Sequence, residues 1–310
     1  MFNNGFKKHL FTFTGLLLIT MVIFAQQPSN FWQTSDTLHK KRRNSVYFAE
    51  AAFAGTSLIG LYNLWYANYD KSSFHFVNDS ENWLQMDKMG HVFSAYALGK
   101  TGMDLLAWSG ETKKNQILYG ATIGFGYLAI IEVFDGFSAN WGFSATDVLA
   151  NATGTGFLIG QQLLWQEQRI LLKYSFHQTK YASYRPETLG ENTLEQAFKD
   201  YNGQTYWLSA NLWAFNKKSN WPKWLNLALG YGANGMLYGN KNPEGIIPET
   251  SVLHQPTRNF YLSIDVDLSK IKTKSSFLNT LFSTLNYIKI PAPAFEINSK
   301  GNTKFHLLFF

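Results

Sequence analysis

One histidine and several carboxylates lie within the most apolar and glycine-rich part of this chain of 310 residues. Ionisable groups are costly inside apolar helices, so in this setting they mark a buried polar site. Asp87 and His91 are four residues apart, as are Asp147 and Asn151, so each pair lies on one face of a helix. The candidate ligand-binding residues are Asp87, His91, Glu132, Asp135, Ser144, Asp147 and Asn151.

Three kinds of site fit these residue types. A neutral imidazole at His91 with the carboxylates of Glu132 and Asp147 would bind a divalent cation such as zinc, manganese or iron. His91 is also a candidate general base, with Asp87 as a second catalytic candidate that fixes the imidazole tautomer. A polar ligand such as a lipid head group fits the same residues without catalysis. The sequence has no HExxH-type spacing, so it names neither a metal nor a reaction.

An architectural role would account for the same residues. Asp87 and Ser144 have the residue types of helix N-caps, and His91 would then bond to Glu132 or Asp147 in a network that fixes helix register. Lys88 neighbours Asp87 but points about 100° away from it on a helix. We therefore expect its ammonium to reach an interface rather than the site.

Four apolar segments with helical periodicity have to position these side chains. They cover residues 46–69, 88–108, 115–134 and 144–165. Small residues recur within them, and such residues allow helix backbones to approach closely when lipid surrounds a bundle. We predict an N-terminal four-helix apolar bundle with the polar site over residues 44–168. None of the segments is a charge-free run of full spanning length, so embedded and peripheral bundles both remain open.

After residue 169 apolar and polar residues alternate, which is the period of antiparallel strands with one buried face. The predicted strands are 170–176, 204–215, 225–231, 260–268 and 304–310. Residues 169–310 thus form an antiparallel β module of five to six strands, interrupted by a polar connector at 181–203 whose short helix Thr193 would cap. The apolar strand faces pack on the helices in one interpretation and face lipid in the other. The predicted fold class is α+β.

The first 25 residues combine Lys7 and Lys8 with an apolar stretch that ends at Ala25, and this pattern is typical of a secretory signal peptide. Residues 26–43 are predicted to be a polar linker. Without the signal peptide, 25 basic residues face 21 acidic ones, and the net charge of +4 is too small to indicate nucleic-acid binding. The absence of cysteine excludes disulfides, thiolate metal sites and the acylated cysteine of a bacterial lipoprotein. With 17% aromatic and 15% charged residues, the composition favours a membrane or lipid interface.

The polar segments also resemble known bacterial proteins. The shared pattern is Asp87-Lys88-x2-His91, an acidic residue at the end of the next apolar helix, and Ser144-x2-Asp147-x3-Asn151-x2-Gly154. It resembles the uncharacterised, periplasmic lipoprotein-like YfiM-type envelope proteins and, more distantly, VanZ-like membrane proteins. The resemblance implies an envelope location and a polar site between helices, but no established reaction. The last strand, 304–310, ends in Phe and resembles the C-terminal strand of bacterial outer-membrane β-barrels.

Together these observations predict an exported protein of a Gram-negative cell envelope, at the outer membrane or its periplasmic face. We expect membrane lipid and outer-membrane proteins as partners, and no nucleic acid. The leading hypothesis is that the Asp/His/Glu site binds an envelope lipid or glycan without catalysis. The alternatives are a membrane-associated hydrolase or transferase with His91 as its base, and a structural component of an outer-membrane assembly. A divalent metal is the one cofactor that the residues suggest.

Overall fold

The computed structural model describes residues 31–67, 70–240, 242 and 256–310. The predicted signal peptide at 1–25 lies outside these residues, as do the start of the linker and the end of the first predicted helix. Within them, helices fill the N-terminal part and an antiparallel sheet fills the C-terminal part. The structure therefore confirms the mixed helical and antiparallel architecture.

Four long helices occupy the segments in which helices were predicted. They are α1 (Lys40–Leu61), α2 (Met86–Trp108), α3 (Lys113–Gly136) and α4 (Ala145–Trp165). Helix α3 contains a π-helical stretch at Gln116–Ala121. Among the described residues it is the one helix whose length and mean hydropathy of 1.7 would allow it to cross a membrane, and core helices of soluble proteins also meet that criterion.

Helices α2, α3 and α4 pack on one another at close range. A Cβ atom at Gly154 of α4 would overlap the backbone carbonyl of Val92 in α2, and one at Gly124 of α3 would overlap that of Ala95. Close approach through small residues was expected from the sequence. Helix α1 is more exposed, with Val46 as its buried residue. The grouping of all four helices into one apolar bundle stays a prediction.

The C-terminal sheet has six strands in sequential order. They are β3 (Ile170–Phe176), β4 (Gln204–Asn211), β5 (Leu225–Asn234), β6 (Thr257–Val266), β7 (Ala292–Asn298) and β8 (Thr303–Phe309). Two short strands, β1 (Phe76–Val77) and β2 (Phe143–Ser144), pair separately in the helical part. The strand predicted at 204–215 is too long, because Asn211 accepts a hydrogen bond from the backbone of Ala214 and starts a helical turn, α7 (Leu212–Phe215).

Shorter helices complete the chain. They are α5 (Pro186–Leu189) and α6 (Thr193–Lys199) in the connector, and α8 (Ser276–Leu285) between β6 and β7. The cap of α6 is Asn192, whose side chain accepts from the backbone N–H of Glu195, so the prediction of Thr193 as the cap is wrong. After α8, the backbone of Lys289 donates to the carbonyl of Tyr174, which pairs this segment with the free edge of β3.

One face of the large sheet is buried and combines polar groups with an aromatic cluster around Trp207. The sheet curls around this face, so that Lys173 of β3 reaches Asp265 of β6 with Nζ 2.8 Å from Oδ2. Both side chains are fully buried, and Ser209 and Asn226 are buried beside them. Buried charges require partners, and here the opposite charge and neighbouring hydroxyl and amide groups provide them.

The opposite face of the sheet is apolar, and the described residues leave most of it uncovered. Helix α2 covers it near β3 and β4, where Phe93 packs against the rings of Tyr174 and Tyr206. From there a row of register partners runs across five strands: Leu208, Leu229, Leu262, Phe295 and Phe305. All five side chains are exposed. Packing on the helices, one of the two sequence interpretations, thus holds only at one edge of the sheet.

Candidate functional site

Helix α2 starts from an unusual turn. Residues 83–85 have φ angles of 50°, 49° and 63°, a left-handed conformation that costs L residues roughly 1 kcal/mol or more each. The sheet holds this turn, since Tyr231 donates to the backbone carbonyl of Leu84 and Arg258 donates to Gln85 Oε1. Gln85 is the N-cap residue and Asp87 lies within the first turn. The prediction that Asp87 caps this helix is therefore wrong, and its carboxylate pairs elsewhere.

The His91 imidazole lies at the centre of the site. Its Nε2 atom is 3.7 Å from Glu132 Oε1, 3.9 Å from Asp147 Oδ1 and 4.0 Å from Asp87 Oδ1. Its other ring nitrogen, Nδ1, is 3.0 Å from Asn151 Oδ1. Helices α2, α3 and α4 thus bring five of the candidate residues together, and we name these five residues the His91 cluster.

Asn151 determines which nitrogen of His91 carries the proton. An amide oxygen only accepts hydrogen bonds, so this contact places a proton on Nδ1, and in the neutral imidazole Nε2 then presents its lone pair to the carboxylates. The sequence assigned this orienting role to Asp87. The structure corrects that assignment, because Asp87 faces Nε2 rather than Nδ1.

Lys88 supplies the positive charge of the site. Its Nζ atom is 2.6 Å from Asp79 Oδ2, 2.7 Å from Asp147 Oδ1 and 3.0 Å from Asp87 Oδ2. These carboxylates outweigh the cost of burial and raise the pKa of Lys88. The expectation that Lys88 reaches an interface is therefore wrong. The long lysine side chain bends back into the cluster, where three carboxylates attract it.

Ser144 connects α4 to both neighbouring acids. Its hydroxyl accepts from the backbone N–H of Asp147, as expected of an N-cap, and donates to Asp79 Oδ1 at 2.6 Å. Its backbone N–H donates to Glu132 Oε2 at 3.2 Å. One oxygen of Glu132 is thereby fixed at the start of α4, while the other points at His91.

Asp135 lies apart from the His91 cluster, although it is one helical turn beyond Glu132. Tyr66 donates to its Oδ1 atom at 2.6 Å, which ties the end of α3 to the π-helical stretch Tyr62–Tyr66 that follows α1. Burial raises the pKa of Asp135 to about 6, although the bond from Tyr66 opposes that rise.

Burial and crowding of charge alter the acidity of the cluster. Burial, then repulsion from Asp147, raises the pKa of Glu132 to about 8. Burial, then repulsion from Asp87, raises the pKa of Asp147 to about 6. Burial alone would lower the pKa of His91, but the carboxylates of Asp87, Asp147 and Glu132 outweigh it and the net shift is upward. The raised pKa values have a common cause, which is that the carboxylates of the cluster outnumber its positively charged groups.

Several buried atoms of the site lack hydrogen-bond partners within the described part of the chain. Glu132 is 1% exposed, and its Oε1 atom has no partner. The same holds for Asn151 Nδ2 and Thr155 Oγ1. Buried polar atoms in folded proteins almost always have a partner. The unpartnered Oε1 atom of Glu132 thus lies 3.7 Å from His91 Nε2 without a hydrogen bond in the described residues.

A cavity of about 460 Å³ opens beside the cluster. Asp87, His91 and Ser94 contribute its polar floor, and most of its wall is apolar or aromatic. The wall includes Phe93, Leu128, Ile131, Tyr174, Phe198, Tyr201 and Tyr206. Tyr201 also donates to Asp87 Oδ1 at 2.7 Å, so the connector between β3 and β4 contributes to the site.

Three contributors could not be identified from the sequence. Asp79 precedes α2 in an irregular segment, and Tyr201 is more than a hundred residues away from its partner Asp87. Lys88 was recognised as a neighbour, but its direction depends on the positions of Asp79 and Asp147. A periodic pattern shows which residues share a helix face, whereas these contacts depend on tertiary structure.

Comparison with known proteins supports an envelope location. A family model described as "Predicted periplasmic lipoprotein (DUF2279)" matches residues 74–161, a segment that contains the whole His91 cluster. No curated protein and no solved structure matches the chain. The match supports an exported protein of the periplasmic envelope and assigns it no biochemical role. The 310 residues contain no cysteine, the residue that carries the lipid of a bacterial lipoprotein, so attachment by that route does not apply to them.

Proposed function

We propose that this protein binds an envelope lipid or glycan in the cavity beside the His91 cluster, without catalysis. The observation that carries the proposal is the combination of an aromatic and apolar wall with a floor made by Asp87 and His91. Cavities that bind small amphiphilic molecules typically have apolar walls and a few convergent polar groups. The volume of about 460 Å³ is within the range of such sites.

We further propose that the exposed apolar face of the sheet lies against the lipid of the outer membrane. Its polarity is the reverse of that of a sheet in a water-soluble protein, since charged residues such as Lys173 and Asp265 are inside and Leu229 and Leu262 are outside. Strands of outer-membrane proteins show this arrangement. The last strand, β8, is an edge strand of this sheet, and Phe310 follows its final residue, Phe309.

Helix α8 supports the same location. Its exposed residues include Phe277, Leu278, Leu281 and Leu285, and Lys272 and Lys274 are exposed just before its start. An amphipathic helix with neighbouring basic residues is suited to a bilayer surface with anionic head groups. We therefore assign lipid, rather than a soluble protein, as the partner of this surface.

Native mass spectrometry of protein extracted in mild detergent tests the cavity. The wild type should carry a lipid or glycan, and Ser94→Phe should lose it because the new ring fills the cavity. Ser73→Phe introduces the same ring at an exposed position that does not line the cavity and should retain the ligand. A wild type that carries only detergent would contradict the proposal, as would equal retention by both variants.

An enzymatic role for His91 is the second candidate, and the geometry of Asn151 favours it. Because Asn151 holds Nδ1, the free Nε2 atom is suited to accept a proton from a substrate in the cavity. This role predicts that His91→Ala abolishes turnover of the bound lipid or glycan in a folded protein. A purely architectural network predicts instead that Asp147→Asn lowers thermal stability and that no turnover exists.

A further inference from the structure

We infer that the His91 cluster is a binding site for one divalent transition-metal ion, with His91 Nε2, Glu132 Oε1, Asp147 Oδ1 and Asp87 Oδ1 as its ligands. The ligand atoms of Asp87, His91 and Asp147 all lie within 4.8 Å of one another. The separations of 3.7 to 4.0 Å between Nε2 and the three carboxylates are too long for direct hydrogen bonds. Nε2 therefore has no direct hydrogen bond to these carboxylates, which leaves it available to a shared ligand. Asp147 Oδ1 also lies 2.7 Å from Lys88 Nζ and Asp87 Oδ1 accepts from Tyr201, so each would bind the ion through its second lone pair.

The distances match those around a bound cation. Zinc lies about 2.0 to 2.2 Å from nitrogen and oxygen ligands, so two ligands of one tetrahedral ion are about 3.4 Å apart. The observed separations exceed this value by only a few tenths of an ångström. Small rotations of the carboxylates would close the difference.

Glu132 provides an independent indication. Its side chain is 1% exposed, its Oε2 atom is held by the backbone of Ser144, and its Oε1 atom points at Nε2 without a hydrogen-bond partner in the described residues. A buried carboxylate oxygen is costly to leave unpaired. A metal ion between Oε1 and Nε2 would satisfy it.

The residues that contact the proposed ligands are arranged as they are around bound metal ions. A histidine that binds a metal through one nitrogen usually donates its other N–H to an acceptor, which fixes the ring. Asn151 accepts from Nδ1 in this way, and Tyr201 and Lys88 hold Asp87. The position therefore has both ligands and groups that orient them.

The charge balance calls for a cation. When all four are ionised, the carboxylates of Asp79, Asp87, Glu132 and Asp147 face one ammonium group, that of Lys88, and the described ion pairs of Lys88 do not include Glu132. A divalent ion would neutralise most of the excess negative charge. One imidazole with carboxylate oxygens suits zinc, manganese or iron rather than calcium or magnesium.

Metal titration of the delipidated, chelator-treated full-length protein tests this inference and does not depend on any ligand in the cavity. Isothermal titration with zinc and with manganese should give one site per chain. Glu132→Gln should weaken binding at least about tenfold, since even the loss of a supporting group has effects of that order. Asp135→Asn, the same kind of change one turn along α3 beside Tyr66, should leave the affinity within about twofold of the wild type.

X-ray absorption of the zinc-loaded wild type gives a readout that needs no variant to fold. We expect one imidazole nitrogen and carboxylate oxygens at about 2.0 to 2.2 Å from the metal. The inference would be overturned if the titration showed no stoichiometric binding, or if Glu132→Gln and Asp135→Asn lost affinity equally. It would also be overturned if the coordination shell contained no imidazole.

Discussion

At the scale of single residues, the site is a compact group of negative charges held by one ammonium group. Lys88 contacts Asp79, Asp87 and Asp147, and its side chain is largely buried. Removal of one partner from a buried ion cluster leaves uncompensated charge, which is far more costly than the loss of a surface ion pair. The stability of the helical part should therefore depend strongly on this one side chain.

We predict that Lys88→Gln lowers the free energy of unfolding by about 3 to 5 kcal/mol in metal-free protein. Lys217→Gln is the matched control, because the Lys217 side chain is 52% exposed and pairs with Glu167 at 2.9 Å. We expect this control to cost less than about 1 kcal/mol. Chemical denaturation measures both values, and equal losses would show that the ammonium of Lys88 has no special role.

Glu50 on α1 predicts a pH dependence that is separate from the His91 cluster. Burial raises its pKa from 4.5 to about 7, and its Oε1 atom lacks a hydrogen-bond partner in the described residues. The folded protein therefore keeps a proton that the unfolded chain releases, so this residue makes stability fall as the pH rises from 4.5 to about 7.

We expect Glu50→Gln to remove that slope and to raise the free energy of unfolding at about pH 8 by about 1 kcal/mol, discounted for partial exposure of the side chain. Denaturation of both proteins at about pH 5 and about pH 8 tests this prediction. If the free energy of unfolding changes between the two pH values by the same amount in Glu50→Gln and in the wild type, Glu50 is not protonated in the folded state.

At the scale of elements, close packing of helices brings the cluster together. A Cβ atom at Gly154 would overlap the carbonyl of Val92, whereas nothing lies within 4 Å of a Cβ at Gly156, two residues further along α4. These two glycines separate the effect of helix contact from that of helix propensity. The sequence shows both as glycines of an apolar helix, and only the packing distinguishes them.

We predict that Gly154→Ala destabilises the protein and weakens metal binding, because α4 has to move away from α2 and carry Asp147 with it. Gly156→Ala should instead be neutral or stabilising by up to about 1 kcal/mol, the difference in helix propensity between the two residues. Thermal unfolding and metal titration of the pair provide the test. A stable Gly154→Ala variant with unchanged metal affinity would contradict close packing at this contact.

The elements also show where sequence reasoning succeeds and where it fails. The cap at Ser144 and strand β3 are local features, and their predicted positions agree with the structure. Strand β7 is not among the five strands whose positions were predicted. It contains Pro293, which is tolerated because the ladder is irregular between Ala292 and Ala294. The shared helix faces of Asp87 with His91 and of Asp147 with Asn151 could be predicted, whereas the contacts of Asp79 and Tyr201 could not.

At the scale of the whole molecule, exposed apolar side chains form a row across the sheet and recur on α8, and others are exposed on the helices of the N-terminal part, such as Phe48, Phe53 and Leu164. This distribution predicts association with lipid bilayers. Leu229→Asp together with Leu262→Asp places two charges in the middle of the exposed row and should reduce co-flotation with phosphatidylethanolamine and phosphatidylglycerol vesicles several-fold. Leu194→Asp adds a charge at an exposed leucine of α6, outside the sheet, and should have little effect.

Equal flotation of the sheet variant and the wild type would show that the sheet is not the lipid contact. Loss of flotation in Leu194→Asp alone would show that the connector, rather than the sheet, contacts the lipid. A circular dichroism spectrum of each variant, compared with that of the wild type, separates loss of lipid contact from loss of fold.

The central claim is that the cavity and the His91 cluster form one binding site. The most direct test is a crystal structure of the protein taken from membranes in mild detergent without chelator. We predict density for a bound group in the cavity that contacts His91 Nε2 or an ion coordinated by it. Only ordered water in the cavity, with Nε2 hydrogen-bonded directly to Glu132 or Asp147, would contradict the claim and leave the cluster with an architectural role.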